Sequence, residues 1–425
     1  MYRFDTLQIH AGYSPDPATG AAVPPVYQTT AYQFESTQDA ADQFSLKAPG
    51  SIYTRLANPT SAVLEERIAA LDGGAAAVAF SSGHAAIFST ILNLCSAGDE
   101  FVSSICIYGG AINLFGVTMK NLGIQCRFVD PDDLSAWESA VTDRTRAFFV
   151  EVVGNPNANV ADLSAIAEIA HRHGLPLIVD ATFVTPALCR PIDFGADIVI
   201  HSATKYLGGH GNSMCGLAVD SGRFPFSGNP RFPAYNQPDP SYHGMVFADA
   251  EAPFAARLRA LMLRDLGACV SPFNAFLILT GMETLSLRME RHSANALAAA
   301  RHLAAHPDVA FVHFPLLPED KYYTLARKYC PRGAGSVFTF GLRGDRQTCA
   351  RFIDALKLFS HVANVGDARS LVIHPGTTTH AQLSDEQLAA SGITPTTVRL
   401  SIGLEDIADI IADLDQAIET AVHGK

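Results

Sequence analysis

Between residues 60 and 200, short apolar runs alternate with segments whose apolar residues recur every three or four positions. That alternation admits few folds. Residues 60–71 predict a helix with Leu64, Ile68 and Leu71 on one face, ended by Gly73-Gly74. An apolar strand at 75–80 follows, and another helix starts at Gly83. The rhythm continues with strands at 100–105, 124–129, 146–152, 175–180 and 196–200, separated by helices at 110–122, 133–141 and 162–173. Strands apolar along their whole length, each followed by a helix, predict an α/β fold: a mainly parallel sheet with helices on both faces.

The rhythm breaks at 221–245, where Gly, Pro, Asn and aromatic residues predict a loop or crossing segment. A long helical region follows over 272–306. Strands at 336–342 and 397–402, mixed with helices, predict a smaller α+β unit. The first sixty residues are aperiodic and rich in Gly, Pro, Thr and Tyr, as an arm lying on another surface or a partly ordered tail would be.

With 425 residues, 48% hydrophobic and only 17% charged, the chain has the composition of a well-buried globular protein of two or three domains. Its net charge of -12, without any long basic run, argues against a nucleic-acid partner. No apolar run is long enough to cross a bilayer, and the start of the sequence has no signal-peptide pattern. The eight cysteines show no CxxC pair and no metal-ligand spacing, so no metal is expected. These features together lead to the expectation of a soluble cytoplasmic protein.

In a doubly wound sheet, ligands bind beyond the carboxyl ends of the strands, and the chemically suggestive residues fall there. Ser202-Ala203-Thr204-Lys205 follows one apolar strand and precedes Tyr206-Leu207-Gly208-Gly209-His210-Gly211. An isolated lysine is commonly solvent-exposed. Here Ser202 and Thr204 offer hydroxyls to a phosphate, and the glycines let a ligand approach the backbone. A lysine in such a pocket loses its proton readily enough to form an imine. Asp180 ends the run 175–180, either as a turn cap or as a carboxylate keeping a pyridine nitrogen protonated. Ser82, Gly83 and His84 open a helix, as a plain N-cap or as an anion site.

Tyr108, before Gly109-Gly110, is either an ordinary loop tyrosine or an aromatic face for stacking. Asn155-Pro156 is a turn or an amide donor to a ring oxygen. Arg399, inside the strand Val398-Arg399-Leu400-Ser401, needs an anion: an internal acid or a substrate carboxylate.

In order and spacing, these segments resemble the Cys/Met-metabolism family of pyridoxal-phosphate (PLP) enzymes, whose fold is the aspartate-aminotransferase-like fold type I. The resemblance runs from Phe4-Asp5-Thr6 to Val398-Arg399-Leu400-Ser401-Ile402-Gly403-Leu404-Glu405, and Asp180 with His-Ser-Ala-Thr-Lys at 201–205 is its most specific part. It implies an N-terminal arm over 1–60 that reaches a neighbouring subunit, a large PLP-binding domain over 61–255 and a C-terminal α+β domain over 256–425.

It also implies roles. Lys205 carries PLP as a Schiff base and acts in catalysis with Tyr108, which stacks on the ring. Asp180 pairs with the pyridine nitrogen, and Asn155 bonds the phenolic oxygen. Ser82, Gly83, His84, Ser202 and Thr204 surround the phosphate. Tyr53 and Arg55 reach that phosphate from the other subunit, and Arg399 with Asn364 holds the substrate carboxylate. A homodimer with shared sites, paired into a homotetramer, is the implied assembly.

Within the family, three segments resemble the O-acetylhomoserine sulfhydrylase branch: Arg223-Phe224-Pro225 with Pro238-Asp239-Pro240-Ser241-Tyr242-His243-Gly244; Leu285 to His292; and Ala363 to Leu371. The implied reaction is γ-replacement of acetate by sulfide on O-acetyl-L-homoserine, giving L-homocysteine for methionine biosynthesis. Cystathionine γ-synthase and the methionine or cystathionine γ-lyases use the same machinery and are the competing expectations. An NAD-dependent Rossmann dehydrogenase is the weaker reading, because no GxGxxG follows the first strand. Three departures stand out. His84 replaces a common Gln, Ala111-Ile112 replaces a common Thr-Tyr, and Gly110 stands where methionine γ-lyases carry Cys, which speaks against the lyase reading.

Overall fold

Short apolar strands cross the molecule side by side as β1 (Ala76–Phe80), β2 (Glu100–Ser104), β3 (Gln125–Val129), β4 (Thr145–Glu151), β5 (Leu177–Asp180), β6 (Ile198–Ser202) and β7 (Gly216–Asp220). The computed structural model describes residues 2–45, 47–48, 50–242, 244–378 and 392–424; His243 of the Tyr242-His243-Gly244 segment lies outside them, as does Met1. The sheet order is β1-β7-β6-β5-β4-β2-β3. Strands β3, β2, β4, β5 and β6 run parallel, whereas β7 is antiparallel to both β6 and β1.

Successive side chains on a strand point to opposite faces, so an all-apolar strand must be covered twice. On β5, Leu177 and Val179 enter one core while Ile178 enters the other. Phe148 and Phe149 on β4 divide in the same way. The helices Pro59–Asp72 and Leu163–Arg172 cover the first face, and Gly83–Leu94 with 253–266 covers the second. The mainly parallel, doubly covered sheet is the one expected.

A second sheet, ordered β10-β11-β12-β9-β8, is built from β8 (Val309–His313), β9 (Val337–Leu342), β10 (Ser360–His361), β11 (Leu371–Ile373) and β12 (Thr397–Ser401). It packs against Leu285–Ala305, Arg346–Ala355 and Ile407–His423 through a core of its own. This is the smaller α+β unit.

Several expectations need correction. The first sixty residues contain two helices, Phe4–His10 and Thr37–Phe44. The helix expected over 110–122 is α-helical only for Gly109–Asn113 and continues as a π-helix over Leu114–Met119. The segment 221–245 carries short helical turns at Pro233–Asn236 and Pro240–Tyr242.

The helical stretch 272–306 is two helices, Pro272–Met282 and Leu285–Ala305, broken at Thr284, whose φ of -115° and ψ of 17° leave the helical region. Arg288 occupies this break. Its guanidinium donates to the carbonyls of Gly281 (2.6 Å), Tyr206 (2.6 Å) and Leu207 (3.1 Å). A buried cation thus satisfies carbonyls of both the broken helix and the loop after Lys205. Gly281 lets the two approach, since a Cβ there would lie 2.1 Å from the Gly208 carbonyl oxygen.

Among the described residues no helix is long and apolar enough to cross a membrane, and no His/Cys/Asp/Glu group could hold a metal. All eight cysteines are free.

Candidate active site

The carboxyl ends of β4, β5 and β6 put Glu151, Asp180 and Ser202 side by side, with Glu151 opposite Asp180 in register. They form the floor of a cavity of about 260 Å³. Of the residues singled out in the sequence, Ser82, Gly83, His84, Tyr108, Asn155, Asp180, Ser202, Thr204, Lys205, Asn364 and Arg399 all line it. Tyr53 and Arg55 do not. Both are exposed, with the Arg55 guanidinium 5.2 Å from the centre of the Tyr53 ring.

One end of the cavity is built for an anion. Ser82 caps the helix Gly83–Leu94, its Oγ accepting from the Ala85 amide at 3.1 Å. The first amides of a helix have no intrahelical acceptor and carry its positive pole. Gly83 is required here: a Cβ would lie 2.6 Å from Ser202 Cβ. Thr204 is fixed by the backbone of Cys215, its hydroxyl donating to the carbonyl at 3.2 Å and accepting from the amide at 3.1 Å.

At the floor, the Thr182 amide donates to Asp180 at 2.9 Å, and burial raises the Asp180 carboxyl above its usual range. A buried carboxylate of this kind calls for a cationic partner. Lys205 stands between, its Nζ donating to Asn364 Oδ1 at 2.5 Å. Burial, and secondarily the Arg399 charge, lowers its pKa to about 8, so a sizeable neutral fraction exists near physiological pH.

Arg399 enters from the second sheet. It is buried, donating to Asn155 Oδ1 (3.1 Å) and to the Asn364 carbonyl (3.3 Å), and burial lowers its pKa to about 10. No carboxylate pairs with it among the described residues. Of the two readings the sequence left open, the internal salt bridge is therefore absent, and the guanidinium is available to an anionic ligand.

Tyr108 hangs over the cavity, 43% exposed, edge-on to the His84 ring with centroids 5.6 Å apart. His84 also bonds to the Gly110 backbone, and burial lowers its pKa. Gly110 leaves the Tyr108 ring its place: a Cβ there would lie 2.5 Å from the ring, which would have to shift.

Sequence reasoning missed Glu151, Thr182, Phe183 and Met214, which also line the cavity. Glu151 ends the apolar run Phe148-Phe149-Val150, where a single acid reads as an ordinary strand end. An anion cradle, a central lysine of lowered pKa and a buried carboxylate at the opposite end fit a phosphorylated pyridine aldehyde such as PLP.

Comparison with known proteins agrees. The chain matches the Cys/Met metabolism PLP-dependent enzyme family over residues 5–419. It is 49% identical to a homocysteine synthase of Schizosaccharomyces pombe, covering 98% of both chains. It is 46% identical to an O-acetyl-L-homoserine sulfhydrylase of Leptospira meyeri, covering 98% of this chain and 97% of that one. A Campylobacter jejuni protein assigned as an O-acetylhomoserine (thiol)-lyase superposes with a TM-score of 0.96 at 42% identity, covering 98% of this chain and 100% of the other. That crystal structure holds N'-pyridoxyl-lysine-5'-monophosphate at position 205 of its chain. The present chain belongs to the Cys/Met-metabolism family of PLP-dependent enzymes.

Proposed function

We propose that this enzyme converts O-acetyl-L-homoserine and sulfide to L-homocysteine and acetate, a step of methionine biosynthesis. Relatives named homocysteine synthase or O-acetyl-L-homoserine sulfhydrylase, from fungi and bacteria at 46–49% identity over nearly the whole chain, support the reaction. The observation that carries the choice of nucleophile is the charge of the cavity wall. Among the described residues, Lys205 and Arg399 are the only Lys or Arg side chains that line it. Arg399 suffices for one substrate carboxylate, and among the described residues of this chain no second guanidinium awaits the carboxylate of cysteine, so a small nucleophile suits the cavity better.

Bound PLP supplies an electron sink for charge developing on the substrate's α-carbon. Asp180 keeps the sink protonated. Arg399 and Asn364 hold the substrate carboxylate and thereby aim the α-carbon at Lys205. The Lys205 amine, neutral in a sizeable fraction, takes the α-proton and returns it later in the cycle. Tyr108 closes one side against water, with His84 and the helix start at Ser82 and Gly83 on the phosphate side beside Ser202 and Thr204. Asn155 would bond the ring oxygen of bound PLP.

The assembly is read as a homodimer in which Tyr53 and Arg55 serve the partner's cavity; their exposure away from their own supports this. Pairing into a homotetramer, a cytoplasmic location and the division into 1–60, 61–255 and 256–425 rest on the family resemblance and composition.

Product identification by mass spectrometry tests the reaction. With O-acetyl-L-homoserine, homocysteine is expected with sulfide. Cystathionine formed with cysteine, or 2-oxobutyrate formed without a nucleophile, would overturn the assignment.

A further inference from the structure

Glu151 is buried, lines the cavity, and has no part in the roles given above. It accepts the Tyr108 amide hydrogen at 2.7 Å through Oε1, and the Asn155 amide bonds to the same carboxyl group. Tyr108 begins the short helix after β2, and Asn155 follows β4, so two separate loops hang from one side chain. The Asn155 side chain in turn accepts from Arg399, and the Arg399 guanidinium reaches the Asn364 carbonyl. We propose that Glu151 is a positioning residue whose buried carboxyl group holds the Tyr108 and Asn155 loops in place around the cofactor ring.

Burial, and after it the neighbouring Asp180, favours the uncharged form of Glu151. Asp180 stands next to Glu151 in the sheet register, and two buried carboxylates on one floor cannot both be charged without large repulsion. Asp180 gains a cation when the cofactor binds; Glu151 meets backbone amides only. Burial first, and the Asp180 charge second, hold its carboxyl well above the usual range. A protonated carboxyl still offers a carbonyl oxygen to the Tyr108 amide. Glutamine has the same carbonyl on the same stem.

The inference rests on the cofactor placement proposed above, and its test uses neither sulfide nor O-acetylhomoserine. Apo and PLP-loaded Glu151→Gln, Glu151→Asp and Glu151→Ala would be compared by PLP titration and by visible circular dichroism of the bound cofactor, which reports how the ring is held.

Glu151→Gln should keep the band and bind PLP within about twofold of the parent. Glu151→Ala, lacking the acceptor, and Glu151→Asp, with it withdrawn by a methylene, should lose much of the band and weaken PLP binding roughly tenfold or more, as displaced supporting groups do. Should Glu151→Ala fail to fold, the Gln and Asp variants decide. Normal binding and dichroism in Glu151→Asp would overturn the proposal, as would a Glu151→Gln as impaired as Glu151→Asp. A parent protein that forms no visible PLP complex would instead defeat the site assignment itself, and a wrong nucleophile would leave all these readouts unchanged.

Discussion

The Lys205 amine lies 2.5 Å from the side-chain oxygen of Asn364, 159 positions away in the chain. Lys205 belongs to the loop after β6 in the large sheet, and Asn364 to the connection between β10 and β11 in the small one. The Asn364 backbone carbonyl also receives the Arg399 guanidinium. One asparagine therefore links the two cations; burial lowers the Lys205 pKa most, and the Arg399 charge adds the smaller part.

That depression sets a pH dependence. For the apoenzyme, PLP capture at Lys205, fixed by borohydride, should speed up as pH rises through about 8 and then level off. Replacing Arg399 by Met removes the secondary cause, so the midpoint should move upward, partway toward the ordinary lysine value. A midpoint that stays or falls would refute the electrostatic link. The sign for stability is fixed too: the unfolded chain holds this proton more tightly, so Lys205 disfavours the folded apoenzyme below about 8, and that penalty fades as pH rises toward the ordinary lysine value.

Lys205→Ala should fold, bind PLP without a borohydride-fixable bond, and turn over at least roughly 10³-fold slower, in line with loss of a proton-transfer group. Activity within tenfold of the parent would show that another group moves the proton.

Gly110→Cys should push the Tyr108 ring off the cavity, because a Cβ at that position lies 2.5 Å from it. A misplacement of this size predicts kcat lower by about tenfold to a hundredfold with little change in thermal stability. An unchanged kcat would mean that the ring position is not needed for turnover.

Arg288→Met removes three charge-assisted bonds to buried carbonyls. The expected loss of stability is on the order of 3 kcal/mol or more, seen as a lower urea midpoint for loss of the cofactor's visible dichroism. Parent-like resistance would show that water replaces the guanidinium there.

Much of this was legible before any coordinates. The apolar strands leading to Asp180 and Ser202 carry their own periodicity, and polar residues just past such strands stand out against it. Arg399 stood out for the same reason, as a cation inside an apolar strand. Glu151 did not, because a single acid next to Phe149 and Val150 reads as an ordinary strand end until the register with Asp180 is known.

Other misses have different causes. β7 is the run Gly216-Leu217-Ala218-Val219-Asp220, too short for periodicity to set its direction. The π-helical turn at Leu114–Met119 presents nearly the same apolar stripe as an α-helix. The break at Thr284 carries no proline; what stabilises it is Arg288, whose guanidinium adds a short bond to the Gly281 carbonyl.

Because the amine of Lys205 bonds to Asn364, and Arg399 lies later still in the chain, the order of synthesis matters for loading the cofactor. At ordinary elongation rates the ribosome polymerises the intervening 159 residues in roughly ten to thirty seconds. Throughout that interval the nascent lysine lacks both residues, and the pocket has its phosphate end but no carboxylate end. Stable capture of the cofactor therefore belongs to the period after translation has passed β12.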